Sequence, residues 1–156
     1  RLAGAGHDAA ASVFAIYGVC GFVGIMTATR IVDQWGALRT SVLSTSLVLA
    51  GMSVWTFGAG HLAAMALGVA IWGLGFGAIT SMQQVRLITA APAAGAAAIS
   101  LNTSMLYVGQ AIGSGIGGVL FAGGYFHASG FVAIAFLATA LSAIIWSTRL
   151  VRSTVT

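Results

Sequence analysis

Long apolar stretches, broken by short clusters of polar or small residues, run the length of the chain. Crossing about 30 Å of hydrocarbon takes roughly 20 helical residues. Five runs reach that length, at about 9–29, 41–59, 62–85, 95–122 and 129–148. Barrel strands are much shorter, about 9–11 residues, and alternate polar with apolar. The pattern therefore predicts an all-α integral membrane protein with five transmembrane helices, forming a single membrane domain over 1–156.

The connectors differ in charge. Residues 30–40 carry Arg30, Asp33 and Arg39, 86–94 carry Arg86 and Pro92, and the tail carries Arg149 and Arg152. With five crossings these three segments share one side. The opposite connectors hold His61 and His127 and no arginine, leaving Arg1 at the N-terminus. An Arg/Lys bias marks the cytoplasmic face. The expected orientation is N-terminus outside and C-terminus cytoplasmic. The start, Arg1-Leu2-Ala3-Gly4, lacks the pattern of a signal peptide. It is read as the cut or processed end of a longer protein with at least one further helix upstream.

Composition sharpens the membrane reading. Hydrophobic residues make up 59% of the 156 positions and charged residues only 5%, against about 25% charged in a soluble domain. Six arginines and two aspartates cannot coat a soluble globule. The net charge of +4 does not point to nucleic acid, because the arginines stand singly between apolar runs and form no basic face. Cys20 alone allows no internal disulfide, and the three histidines show no ligand spacing, so no metal or cofactor is expected. No acid/base pair or nucleophile arrangement suggests an enzyme.

Chemistry, if present, lies on helix faces. At 100° per residue the fourth run divides into three stripes. Leu101, Met105, Val108, Ile112, Ile116 and Val119 form a lipid-facing stripe. Asn102, Gly109, Gly113 and Gly117 form a second, in which the glycines admit a neighbouring backbone as a helix-packing surface. Ser100, Thr103, Tyr107, Gln110 and Ser114 form a polar third. A mid-membrane amide needs a partner or water, so this stripe makes either interhelical hydrogen bonds or a cavity wall. In the third run Gly73, Gly77, Thr80 and Gln84 share a face, with Trp72, Phe76, Gln83 and Met65 beside it. Gly18, Gly21 and Gly24 in the first run suggest a tight crossing or a bend, near Tyr17. No charge falls in the centre of any run, so no proton-carrying carboxylate is visible.

The segment 24–43, GIMTATRIVDQWGALRTSVL, resembles the signature loop of the major facilitator superfamily, roughly G-x-L-a-D-r-x-G-r-k. Asp33, Gly36, Arg39 and Ile31 fit. Thr29 stands at the first glycine, Gln34 at the first basic residue, and Ala37 and Leu38 thin the basic pair. IWGLGFGAITSMQQVRLITAAP at 71–92 and AAAISLNTSMLYVGQAIGSGIGGVLF at 96–121 resemble the tenth and eleventh helices of the drug and sugar efflux permeases of that family.

This resemblance implies that the five runs are helices eight to twelve of a twelve-helix fold, an incomplete C-terminal half. It implies an alternating-access antiporter of a bacterial cytoplasmic (inner) membrane, proton-coupled and exporting a drug-like compound or sugar. The implied partners are the small-molecule substrate, the lipid bilayer and the missing N-terminal half. The substrate residues carried over are Tyr17, Trp72, Thr80, Asn102, Tyr107 and Gln110. Asp33, Gly36 and Arg39 would form the gate loop, with a tight turn at Gly36 and an Asp33–Arg39 pair. A non-transporting membrane scaffold or assembly subunit is the alternative of another class. A metabolite uptake permease is the alternative within the same fold.

Overall fold

The computed structural model describes residues 7–153, nearly all of them helical, with no strand among them. The elements are α1 (His7–Phe57), α2 (Leu62–Ala90), a short 3₁₀ turn (Pro92–Ala94), α3 (Gly95–Ala122) and α4 (Phe126–Ser153). Each of the four helices is long and apolar enough to cross a membrane.

The connectors are shorter than the apolar pattern predicts. Helix continues through Arg30–Trp35 and resumes at Ala37, so the expected loop at 30–40 shrinks to Gly36. Apolar content says where a bilayer ends; a helix ends where the backbone must turn. Nothing between Arg30 and Trp35 breaks a helix, and Gly36 does. Its φ of 77° and ψ of 157° lie in a region essentially reserved for glycine. In the same way α2 runs on to Ala90, and Pro92, which lacks an amide hydrogen, opens the 3₁₀ turn that follows. The range 95–122 coincides with α3.

A straight helix of 51 residues would be roughly 77 Å long. Instead α1 folds back at Gly36, and its two arms flank α2 in opposite senses. On the first arm Tyr17 lies at Gly73, Gly21 at Gly77, and Ala28 beside Ala78 and Met82. On the second, Ser41 meets Gln83, Ser44 meets Gly75, and Gly51 and Trp55 meet Gly68. The first arm thus climbs α2 with rising numbers and the second descends it.

Glycine makes both seams possible. A Cβ on Gly24 would run into the backbone of Leu74, and one on Gly51 into the backbones of Gly68 and Trp72. At Gly68 the added carbon would stand 2.7 Å from the Trp55 nitrogen. Removing the side chain lets backbones touch. In a medium as greasy as leucine, van der Waals contact rather than hydrophobic burial holds helices together. Among the described residues most of the buried apolar side chains belong to α2: Met65, Val69, Ala78 and Met82.

The remaining helices pack on this trio. On α4, Gly130 abuts Thr56, and the rings of Phe131 and Phe57 meet edge to face at 5.8 Å. α3 packs on α2 and α4 and does not touch α1; none of its residues is buried. The turn between α3 and α4 is tied by an edge-to-face pair, Phe121 and Phe126, 5.2 Å apart.

Candidate functional site

The glycines of the first seam bring three rings together. Tyr17 and Trp72 lie 5.2 Å apart with planes tilted by 57°. Phe76, one turn along α2, lies 6.2 Å from Tyr17 and 6.4 Å from Trp72. Gly73 sits between them in sequence, with the Tyr17 carbonyl 2.8 Å from where a Cβ would be. Any larger residue there would push Tyr17 off Trp72. Tilted ring pairs of this kind contribute about 0.5–1.5 kcal/mol each beyond their area. Half of Phe76 remains exposed, so the cluster has an open aromatic flank. Thr80 is one turn further along α2 and exposed.

The α3 candidates form a separate group. Asn102 is half-buried, while Tyr107 and Gln110 are exposed. Two hydroxyls of the polar stripe bond to their own helix, Ser100 to the Ala96 carbonyl at 3.0 Å and Thr103 to the Ile99 carbonyl at 3.0 Å. Self-satisfaction of this kind is how a hydroxyl survives in oil. The side chains of Tyr107 and Gln110 have no hydrogen bond within the chain among the described residues. Cβ atoms on Gly109, Gly113 or Gly117 would meet nothing within 4 Å among the described residues. An added Cβ would press on a neighbouring helix's backbone at Gly24, Gly51, Gly68, Gly73, Gly75 and Gly77.

The signature-loop residues sit at the fold-back. Gly36 makes the turn, and its carbonyl accepts a hydrogen bond from Thr40 Oγ1 at 3.0 Å. Asp33 and Arg39 are exposed on either side of it, and no ion pair joins them among the described residues. Arg1 lies outside the described residues.

A buried polar system escaped the apolar reading. Thr40, Ser41, Ser44 and Thr45, all at most 4% exposed, line the second arm of α1 where it faces α2. Ser41 Oγ accepts from Gln83 Nε2 at 3.3 Å, and Gln83 Oε1 accepts from Arg86 Nη1 at 3.0 Å. Arg86 Nη2 donates on to Ser147 Oγ of α4 at 3.3 Å. This chain of bonds crosses three rods at the end where α1 folds back. Its signal was legible: hydroxyls at 40, 41, 44 and 45 follow helical spacing. The arginine was read only as a marker of sidedness.

Chemically, the arrangement offers ring faces and amide and hydroxyl groups of the kind that can hold an amphipathic molecule. Comparison with known proteins matches the chain to no family model, no curated protein and no solved structure.

Proposed function

We propose that the chain is part of a secondary active transporter of the major facilitator type. In this proposal α1 crosses the bilayer twice, giving five crossings with the N-terminus outside and the C-terminus cytoplasmic in a bacterial inner membrane. The transporter exports a drug-like compound or sugar by alternating access, coupled to protons. Tyr17, Trp72, Thr80, Asn102, Tyr107 and Gln110 contact the substrate. Asp33, Gly36 and Arg39 brace the cytoplasmic gate against the other half.

One observation carries this proposal: α3 is apolar enough to cross a membrane, yet buries no residue and holds Tyr107 and Gln110 out, unbonded within the chain. An amide facing only hydrocarbon costs several kcal/mol. A water-filled cavity shared with a second half removes that cost. The test is efflux by the full-length transporter carrying Gln110→Ala or Trp72→Ala. Loss of one hydrogen bond or one stacking face, about 1.4 kcal/mol, should weaken substrate affinity about tenfold. Unchanged transport and unchanged inhibitor response in both variants would remove these residues from the site. The direction of flux separates export from uptake.

The open glycines Gly109, Gly113 and Gly117 favour a second reading, an assembly subunit that docks another membrane helix there. Stable co-purification through α3, with no flux after reconstitution, would support it.

A further inference from the structure

The second arm of α1 has two unlike faces. Inward, its hydroxyls at 40, 41, 44 and 45 meet α2. Outward, Leu38, Val42, Leu43 and Ser46 line an open groove of about 600 Å³, closed on the far side by Ile145 of α4. Arg39 and Trp35 line the same groove at the fold-back end. We propose that this groove is a binding site for one anionic phospholipid, with an acyl chain laid along Leu38–Ser46 and the phosphate on Arg39.

Charge and length both point to that occupant. Arg39 is exposed and has no acidic partner among the described residues. Asp33 is the sole carboxylate whose side-chain environment is described, and it does not pair with Arg39. Apart from Arg39 and Ser46, the walls are hydrocarbon and indole. A cation at the mouth of an apolar trough complements a molecule with an anionic head and a hydrocarbon tail. From Leu38 to Ser46, on the second arm, the groove extends roughly 12 Å along the helix, within the depth of one leaflet, about 15 Å. Trp35, half exposed at the mouth, is placed where indoles prefer the headgroup level. A phosphate at the mouth supplies the counter-charge that no described residue of this chain gives the guanidinium. The lipid site rests only on the helices lying in a membrane; within the transporter proposal it gives Arg39 to lipid and leaves the gate contact to Asp33 and Gly36.

Trp35 provides the measurement. The chain is reconstituted in phosphatidylcholine with Trp55, Trp72 and Trp146 replaced by Phe, leaving Trp35 as the fluorophore. Phosphatidylglycerol or phosphatidylcholine with brominated acyl chains is then titrated in. Half-quenching should occur at about fivefold lower mole fraction for the anionic lipid. Arg39→Gln should abolish that preference and Arg30→Gln should keep it. Equal quenching by the two lipids, or a preference that survives Arg39→Gln, overturns the site. So does Trp35 shielded from both lipids, which would mean that a protein helix fills the groove. A parallel measurement needs no tryptophan replacement: native mass spectrometry should find phosphatidylglycerol retained by the unmodified chain and lost from Arg39→Gln.

Discussion

Arg86 on α2 reaches Ser147 on α4, Nη2 to Oγ at 3.3 Å, although 61 positions separate them. The same guanidinium holds Gln83, which holds Ser41 of α1. One cation therefore ties three rods at the end where α1 turns back. In a bundle joined mainly by glycine contacts, such a polar clasp fixes which helix ends lie side by side.

The clasp is measurable by a double-mutant cycle. Arg86→Met and Ser147→Ala should each destabilise the detergent-solubilised chain, and together by less than the sum. The coupling should be about 0.5–1 kcal/mol, below the roughly 1.5–3 kcal/mol of a charged hydrogen bond shielded from solvent, because the pair is exposed. Strict additivity in denaturant titrations would mean that the bond contributes nothing.

Glycines in the seams and glycines in the open should respond oppositely. Gly24→Ala forces a carbon into the Leu74 backbone and should cost about 1–3 kcal/mol. Gly113→Ala meets open space, and the better helix former should raise stability by up to about 1 kcal/mol. Thermal unfolding of the two variants side by side tests the order; a reversal would contradict the seam.

The fold-back rests on one backbone conformation. Gly36→Ala should cost about 1–3 kcal/mol, because φ near 77° with ψ near 157° excludes a Cβ. A disulfide between Ser41→Cys and Gln83→Cys, in a Cys20→Ser background, reports the packed second arm. It should form more slowly once Gly36 is replaced; equal rates would show that the arms meet without this turn.

Whether the polar face of α3 is wet can be asked directly. In the proposed full-length transporter, lacking Cys20, a membrane-impermeant maleimide should label Gln110→Cys and leave Ile112→Cys untouched. If neither reacts, Gln110 faces lipid or a dry interface, and the cavity proposal fails with it.

Much of the fold was legible in the chain because its solvent is so demanding. Residues 95–122 had to be one helix, since hydrocarbon tolerates no unpaired backbone and no other element closes its own bonds over that span. Trp72 and Phe76 could be placed on neighbouring positions of one helix by spacing alone. That Tyr17 would join them was not legible, since it depends on where Gly73 lets the first arm cross. Arg86 likewise looked like a loop residue, because apolarity fades before α2 ends.

By itself the sequence determined the helical character of the chain, the bounds of α3 and the stripes along each face. These are local properties, fixed by 3.6-residue periodicity and by the cost of burying charge in oil. Tertiary structure alone decided which glycines act. Gly109, Gly113 and Gly117 share the spacing of packing glycines yet leave room for a Cβ among the described residues, whereas Gly24 and Gly51 lie against neighbouring backbones. A missing side chain permits close approach without specifying a partner. The partner is set by which rods the fold-back at Gly36 brings alongside.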